Sequence, residues 1–261
     1  RYSEAIKYFE ELLGPQYSYA LTPNWRDNFN EVNNNNSESI FEVQFKLLDN
    51  YQNLKEPWEL TDDWRTAWDR IGEHHPQEQV FGPSGSMMNG NFHSGWHEGY
   101  PSMKLVQKFE KGDLRRKQGV FGPGDFLWDS SNVNTLADTT DPQSYAFKKW
   151  LRQNPTGDNS LRKSEINIRI MRLADVYLMY AECLMKINRL SEAVEYINKV
   201  RERAGANNGD ANFPLYDPIN YTTVAQVYEI LEHERAVECF FEGTRFFDLR
   251  RWDRDPDCPF D

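Results

Sequence analysis

The sequence predicts a mainly α fold in which helical hairpins form a frame and the middle of the chain is loop-rich and aromatic. Two observations predict the frame: apolar residues recur at helical spacing over 172–205, and residues 1–14 repeat part of that stretch. A third describes the middle, where Gly, Pro, Asn and Ser interrupt residues 46–135 and seven of the eight tryptophans precede residue 151.

The strongest helical pattern lies between Arg172 and Gly205. Asn188 and Arg189 interrupt the period, and Ser191 is placed to cap a second helix that Gly205 ends. Two helices joined by so short a turn pack antiparallel, so this stretch is predicted to be a helical hairpin. The two apolar stripes that face each other are Leu173, Val176, Tyr177, Tyr180, Leu184 and Ile187, then Ala193, Ile197, Val200 and Ala204.

The start of the chain repeats the second helix of this hairpin. RYSEAIKYFEELLG at 1–14 aligns with RLSEAVEYINKVRE at 189–202, and Ala5 and Phe9 take the places of Ala193 and Ile197. This is the spacing of a tetratricopeptide second helix. A repeat of this kind buries its apolar face only against a neighbour. We therefore expect the chain to open on the second helix of a hairpin, as part of a longer protein.

The remaining elements follow in chain order. A loop is expected over 15–37, then a short strand near 40–45 and a mostly irregular stretch from 46 to 135. Within that stretch, 61–71 and 102–111 have the composition of short helices. Alternating Ile166, Ile168 and Ile170 predict a strand that leads into the hairpin. The chain then continues as a helix from about 223 to 241, broken at Gly243 and followed by a shorter one.

Composition excludes some function classes. The 261 residues carry a net charge of −11, which argues against binding to nucleic acid or to an anionic membrane surface. No apolar run is long enough to span a membrane. Three cysteines without close spacing do not form a disulfide framework, and Cys183 and Cys239, in apolar helical contexts, are expected to be buried free thiols.

The stretch FGPSGSMMNGNFHSGWHEGYP at 81–101 is the candidate ligand-binding loop. A sugar ring has an apolar face that stacks on Trp or Tyr, while its hydroxyl groups need polar partners. His97 adds a polar group to this loop, and Trp64, one turn from Trp68 in the stretch before it, is a weaker candidate. The alternative is that these rings form a small core under the loop. The candidate ligand-binding residues are Trp96, Tyr100, Phe92, Asn91, His93 and Trp64.

Catalytic and metal sites are weakly indicated. His93 and His97 have helical ligand spacing but lie in a Gly-rich loop without a third ligand nearby. Asp253, Asp255 and Asp257 imitate the start of a calcium loop, but the Gly and the distal Glu are missing, so a solvated tail is expected. We expect no catalytic residues, no metal site and no cofactor. A structural ion-pair network is expected from Glu234, Arg235, Glu238, Glu242, Arg245, Asp248 and Arg251.

Several motifs, in order, resemble the SusD/RagB family of nutrient-binding lipoproteins of the Gram-negative outer membrane. The longest are IRIMRLADVYLMYAECL, LSEAVEYINKVRERAG and ILEHERAVECFFEGTRFFDLRRW, all in the C-terminal part. ESIFEV at 38–43, KLV at 104–106 and Gly112-Asp113-x-Arg115 also match. Ala236 and Cys239 depart from the usual pattern, as packing substitutions. Family members are roughly twice as long, so the resemblance covers their C-terminal portion.

The resemblance implies a tetratricopeptide-like α-α superhelix with the loop-rich lobe packed on it. Residues 1–261 are then one domain lacking its N-terminal part, with the frame at 1–14 and 166–252 and the lobe at 38–150. The implied function is non-catalytic binding of an oligo- or polysaccharide, or another nutrient, for delivery to a SusC-like TonB-dependent transporter. The implied place is the cell surface, lipid-anchored in the outer membrane. The alternatives are a tetratricopeptide-type protein–protein scaffold and a glycan hydrolase.

Overall fold

The computed structural model describes residues 1–45, 81–89, 95–127, 133–152, 164–206 and 210–260. Seven α-helices lie within these ranges: α1 (Tyr2–Leu12), α2 (Met103–Lys108), α3 (Leu114–Gly119), α4 (Leu173–Lys186), α5 (Leu190–Arg203), α6 (Val224–Glu238) and α7 (Arg245–Trp252). The strands in the same ranges are β1 (Ser39–Val43), β2 (Met88–Asn89), β3 (Val120–Phe121), β4 (Val133–Asn134), β5 (Ala146–Phe147) and β6 (Ile168–Arg172). The helix expected over 61–71 lies outside the described residues.

The predicted hairpin is confirmed as α4 and α5. α4 is enclosed on more than one side, because Ala174, Leu178 and Ala181 are buried as fully as the main stripe. α5 packs against it, and α6 completes the layer with Val227, Tyr228 and Leu231. Cys183 and Cys239 are buried free thiols, as expected. The residues that form the core between α4 and α5 are Ala174, Leu178, Ala181, Leu184, Ala193, Val194, Ile197 and Val200.

The turn between α4 and α5 differs from the expectation at one residue. Ser191 was expected to cap α5, but the helix begins at Leu190, and Arg189 stands at the cap without a side-chain hydrogen bond to the backbone. The reason is Asn188, whose left-handed φ of 63° reverses the chain, so the cap lies two residues earlier than expected. The other end is as predicted, with Gly205 at φ 106° just beyond the helix.

The N-terminal helix packs on the hairpin, as its repeat pattern indicates. Ile6 of α1 is buried in the same core as the α4–α5 residues. The Phe9 and Tyr180 ring centroids lie 5.6 Å apart, and the Tyr180 hydroxyl donates to Glu10 Oε1 at 3.2 Å. In tetratricopeptide solenoids each helix pair packs on the next in this way.

The C-terminal helices also follow the prediction, with shifted ends. α6 starts with a capping box formed by Thr223 and Gln226. The side chain of each residue accepts a hydrogen bond from the backbone N–H of the other. It ends at Glu238 rather than near 241, because Phe241 adopts a left-handed φ of 58° before Gly243 turns the chain into α7. Within the described ranges, every helix is too short or too polar to cross a lipid bilayer.

β1 and β6, both predicted, pair antiparallel and present their charged side inward. Glu42 lies opposite Arg169, and their side chains form a buried ion pair with Arg169 Nε 3.1 Å from Glu42 Oε1. Phe41 and Ile170 point the other way and are exposed. A β-bulge between Phe41 and Glu42 shifts the register. β6 ends at Arg172, whose side chain is buried, and the chain continues directly into α4.

The lobe between β1 and β6 is held by short strand pairs and by rings. β2 pairs with β4, and β3 pairs with β5. Trp25 stacks on Phe240 at 5.6 Å, and Phe29 meets Trp150 edge-on at 5.0 Å. Because Phe240 follows α6 directly, this aromatic core joins the lobe to the helical frame. Trp25 and Trp150, two of the tryptophans that mark the first 150 residues, are therefore core residues.

Candidate functional site

The described part of the candidate loop is fixed at its base. The Gly95 amide donates to the Pro83 carbonyl at 2.8 Å, which joins the two described halves of the loop. Phe81 packs edge-on against Phe241 at 4.9 Å, and Phe241 stacks on Phe147 at 4.0 Å. The loop therefore rests on an aromatic stack that continues into the lobe core.

Gly99 is the second point of close packing beneath the loop. A Cβ at Gly99 would lie 2.9 Å from Cδ1 of the Phe81 ring, closer than real Cβ atoms approach a neighbour. Only glycine allows the chain to pass so near that ring. The backbone is therefore bonded to Pro83 at Gly95 and packed closely against Phe81 at Gly99.

His97 fastens the centre of this segment. Its Nε2 lies 2.8 Å from the Tyr145 carbonyl oxygen. The residue adopts φ 55°, in the left-handed region, and its ring centroid is 5.6 Å from that of Tyr100. His93 and His97 have the spacing of metal ligands on a helix, although the sequence did not favour a metal site there. In the structure the Nε2 atom of His97 is occupied by a carbonyl, and His93 lies outside the described residues.

Two rings of the fixed segment face solvent. Trp96 is 54% exposed and Tyr100 is 40% exposed. A ring that packs as core is covered, so the alternative of a small core under the loop does not describe these two residues. Exposed aromatic rings on an immobilised backbone are suited to stacking against a flat apolar ligand face at low entropic cost.

A pair of hydroxyl groups lies on the other described half of the loop. Ser84 Oγ and Ser86 Oγ are 2.7 Å apart, and Ser86 is exposed. Pro83, which accepts from Gly95, precedes this turn, so the hydroxyl pair follows the point where the two halves of the loop meet. The pair was missed at the sequence level, because a serine spacing of two carries no signal until the turn geometry is known.

Asn91, Phe92, His93 and Trp64 lie outside the described residues. The described site thus consists of two predicted rings, one histidine and a hydroxyl pair.

A second concentration of polar groups, in the interior, centres on Glu238. Its Oε1 accepts from Arg172 at 2.6 Å and from Arg203 at 2.5 Å, and Trp25 Nε1 donates to the same atom at 3.1 Å. Its Oε2 accepts from Arg115 at 3.0 Å. Burial raises the pKa of this carboxyl, but the three guanidinium groups outweigh burial and hold the pKa well below its usual range.

Glu38 forms a second centre that shares two of these arginines. Arg172 lies 3.0 Å from its Oε1 and Arg203 2.7 Å from its Oε2. Asn28 and Thr22 donate further hydrogen bonds to Oε2 at 2.8 and 3.0 Å. Burial raises the pKa of Glu38, yet the two arginines lower it overall. The carboxylate is therefore ionised and fully bonded.

Lys149 connects the ion-pair network to the aromatic core. Its ammonium lies 4.3 Å from the centroid of the Phe29 ring, 4.4 Å from Phe240 and 4.8 Å from Trp25. It also donates to Glu242 Oε1 at 2.6 Å. Burial lowers the pKa of Lys149 to about 8, and Glu242 opposes that shift. These contacts serve packing, and they leave no side of the ammonium open to a ligand.

A third group of ion pairs joins the last helices to the hairpin. Arg235 lies 2.9 Å from Asp175 and 2.7 Å from Asp248. Arg251 reaches Glu182 with its Nη2 at 2.6 Å. The predicted structural network is confirmed, because each of its seven residues has an ion-pair partner: Glu234, Arg235, Glu238, Glu242, Arg245, Asp248 and Arg251.

One group in the described part of the chain has metal-ligand geometry, but an arginine occupies it. Glu110, His233 and Glu234 bring one ligand atom each within 4.8 Å. The Arg201 guanidinium lies 2.9 Å from Glu110 Oε1 and 2.8 Å from Glu234 Oε1. Burial, outweighed by hydrogen bonds from His233 and Arg201, leaves the pKa of Glu110 at about 2. A cation is already present between the carboxylates, so a metal ion would be repelled.

Of the three C-terminal aspartates expected in a solvated tail, Asp253 and Asp257 are exposed, as expected, whereas Asp255 is docked on the frame. Lys186 Nζ lies 2.6 Å from Asp255 and 3.0 Å from Asp257, and the Tyr228 hydroxyl donates to Asp255 at 2.9 Å. Asp255 is largely buried, because α4 and α6 cover it. The Lys186 ammonium thus pairs with two of the three aspartates that imitate a calcium loop.

The described residues thus combine a frame of helical hairpins with a lobe that carries two exposed rings. The family model described as the SusD family matches residues 14–257. The chain therefore belongs to the SusD family, as its motifs indicated, and the tetratricopeptide-like fold class is confirmed.

Relatives with the same family description match over most of the chain. A SusD-like protein, P25, of Formosa agariphila is 29% identical over 253 residues, which are 91% of this chain and 44% of that protein. A SusD-like protein of Bacteroides ovatus is 28% identical over 245 residues, 90% of this chain and 38% of that protein. The chain thus spans less than half the length of these relatives.

Solved structures agree on the fold. A SusD superfamily protein from Bacteroides vulgatus has a TM-score of 0.68 at 28% identity, covering 97% of this chain and 48% of that one. Surface glycan-binding protein A from Bacteroides thetaiotaomicron, in complex with laminarihexaose, has a TM-score of 0.65 at 23% identity, with 97% and 50% covered. At that lower identity the likeness shows the fold.

Proposed function

We propose that this chain binds an oligo- or polysaccharide at the surface formed by Trp96 and Tyr100, without chemical change to the ligand. The observation that carries the proposal is the combination of two exposed rings with a backbone fixed by Gly95, His97 and Gly99. Such a surface stacks on sugar rings and needs little ordering when the ligand arrives.

Three further points support a sugar as the ligand. The Ser84 and Ser86 hydroxyls lie on the loop that carries the rings, and they suit sugar hydroxyl groups. A structural neighbour is described in complex with laminarihexaose. The buried carboxylates at Glu38 and Glu238 are consumed by ion pairs, so they offer no acid–base pair to a glycosidic bond.

Family membership supports a proposal for the wider role of the complete protein. We propose that the complete protein holds nutrient at the cell surface, anchored by lipid to the outer membrane, and delivers it to a SusC-like TonB-dependent transporter. The sugar surface is the contribution of the present chain to that role.

The decisive experiment is a binding titration across soluble plant, microbial and host oligosaccharides, with laminarihexaose included, followed by tryptophan fluorescence and affinity electrophoresis. For a sugar that saturates, Trp96→Ala is expected to weaken binding about 30-fold and Tyr100→Ala about tenfold, as central aromatic contacts do. Tyr100→Phe removes the hydroxyl and keeps the ring. If stacking dominates, it should weaken sugar binding about threefold or less.

The matched control is Phe246→Ala. Phe246 is 62% exposed, more than Trp96, but lies on α7 in the frame. Its removal should leave sugar binding unchanged. A protein–protein scaffold would show the reverse pattern, with partner binding lost by frame variants and unaffected by Trp96→Ala. Release of reducing ends from polysaccharide would contradict a non-catalytic role.

A further inference from the structure

His97 occupies a backbone conformation that few residues adopt. Its φ of 55° lies in the left-handed region, where histidine, asparagine and aspartate are enriched among non-glycine residues. Strained conformations of this kind persist where neighbouring contacts impose them, and they cluster at ligand-binding sites. Here the strained residue stands directly after Trp96 and three residues before Tyr100.

The contact that imposes this conformation is the bond from His97 Nε2 to the Tyr145 carbonyl. A carbonyl oxygen only accepts hydrogen bonds, so Nε2 carries the proton. The acceptor is rigid: Tyr145 is buried, its amide donates to Pro142 at 3.1 Å, and its hydroxyl donates to Thr139 at 3.0 Å.

The other ring nitrogen of His97, Nδ1, has no hydrogen-bond partner among the described residues. In a neutral imidazole with a proton on Nε2, Nδ1 is a hydrogen-bond acceptor. Nδ1 of His97 bonds to no described residue, and it is not among the buried polar atoms without a partner, so it is open to solvent. The ring is half-buried and lies 5.6 Å from the Tyr100 ring.

We infer that His97 divides its two nitrogens between the loop and the ligand: Nε2–H holds the turn that presents Trp96 and Tyr100, and Nδ1 accepts a hydrogen bond from a sugar hydroxyl. This inference rests on the proposed sugar surface. It adds a directional polar contact to a surface whose stacking rings alone would accept any flat sugar face. A hydroxyl whose hydrogen points at Nδ1 is selected, and a sugar lacking that hydroxyl is disfavoured.

The assignment of the two nitrogens is tested first without ligand. The protein is labelled with ¹⁵N in its histidines, and the His97 signals are identified by their loss in His97→Gln. The expected spectrum shows a protonated Nε2 and an unprotonated Nδ1. The reverse tautomer, with the proton on Nδ1, would overturn the inference, because Nδ1 could then not accept.

The ligand contact is tested on the same sample with laminarihexaose, or with whichever oligosaccharide saturates the fluorescence titration. The Nδ1 resonance of His97 is expected to move to lower ¹⁵N shift as it accepts a hydrogen bond, while that of Nε2 stays in place. His233 on α6 serves as the internal control, since it lies in the frame beside Glu110 and should not respond.

Two variants separate the roles. His97→Gln places an amide NH₂ near the Nε2 position and removes the ring acceptor, so it should weaken binding about fivefold with little change in Tm. His97→Gly tolerates the left-handed φ but loses both contacts, so it should weaken binding further. One outcome would refute the inference and keep the proposed function. In that outcome Trp96→Ala abolishes sugar binding, but the sugar does not shift the His97 Nδ1 signal of the unmodified protein. If no sugar binds, both the proposed function and the inference about His97 are contradicted.

Discussion

The helical frame and the lobe are ordered by different means. In the frame, Leu178 and Leu184 of α4 are fully buried among apolar neighbours of α5 and α6, and the backbone bonds are those of the helices themselves. In the lobe, the loop that carries Trp96 is held by single contacts to distant backbone, such as His97 to Tyr145. The difference teaches that the described part of this loop depends on single long-range contacts, whereas the frame depends on many packed side chains.

The two regions meet at the buried charge network, so its removal should have the largest effect. Arg172→Met leaves Glu38, Glu238 and Glu242 without their shared guanidinium, inside a region from which water is excluded. Breaking such a buried pair from one side costs about 3–5 kcal/mol. Urea denaturation should therefore show a loss of this size in the free energy of unfolding.

The matched control is Arg189→Met, which removes an equally direct ion pair with Glu192 where both side chains are exposed. Water and salt screen such an exposed pair, so this variant should unfold at nearly the same urea concentration as the unmodified protein. Equal stabilities for the two variants would show that the interior network contributes no more than a surface pair.

The frame is tested next by truncating its core. Leu184→Ala removes a fully buried side chain between α4 and α5 and should cost about 3 kcal/mol of unfolding free energy. Sugar binding, measured below the unfolding transition, should be retained, because the lobe loop does not pack on this residue. Tyr8→Ala on α1, 67% exposed, provides the comparison and should change stability by less than about 0.5 kcal/mol.

The lobe is tested by one added methyl group. Gly99→Ala places a Cβ against the Phe81 ring, which has to shift and loosen its edge contact with Phe241. Overpacking of this kind costs about 1 kcal/mol or somewhat more. The stability loss should be modest while sugar affinity falls clearly, since the shift lies directly under the segment between Trp96 and Tyr100.

Gly14→Ala is the control for that variant, because its Cβ meets only the end of the flexible Gln16 side chain, which can move away. Unchanged sugar affinity in Gly99→Ala would show that the position of Phe81 does not govern the surface.

The smallest expected effect concerns pH. The pKa of Glu110 in the folded protein is about 2, below its ordinary value of 4.5, because hydrogen bonds from His233 and Arg201 outweigh burial. A lowered folded pKa means that this carboxylate stabilises the fold above about pH 4.5 and loses that contribution as pH falls toward 2. In Glu110→Gln the drop in Tm between pH 4.5 and 2 should be shallower. Identical acid limbs in both proteins would contradict this assignment.

The frame could be predicted well from the sequence, because the signals that define its helices lie in residues close together in the chain. The apolar period of α4 and α5, Gly205 at the hairpin's end and the break near Gly243 all depend on residues close in the chain. The errors are local as well. Ser191 was expected as a cap, but the cap is Arg189, two residues earlier, directly after the left-handed Asn188.

The lobe could be predicted only in outline, because its contacts are long-range. The stretch 81–101 was singled out by its composition, and Trp96 and Tyr100 are indeed exposed. The partners that hold it are Tyr145 for His97 and Phe241 for Phe81, far away in the chain. Composition alone also could not separate these exposed rings from Trp25 and Trp150, which are core.

Glu238 has a consequence for how the molecule opens. Its carboxylate joins Trp25, Arg115, Arg172 and Arg203, and the first of these is 213 residues away in the chain. Detaching any one of these segments leaves a charge or a donor without its partner in the interior, which adds to the free-energy cost of partial opening. The amides around all four residues should therefore exchange with solvent hydrogen together, as one cooperative unit, although they belong to both the lobe and the frame.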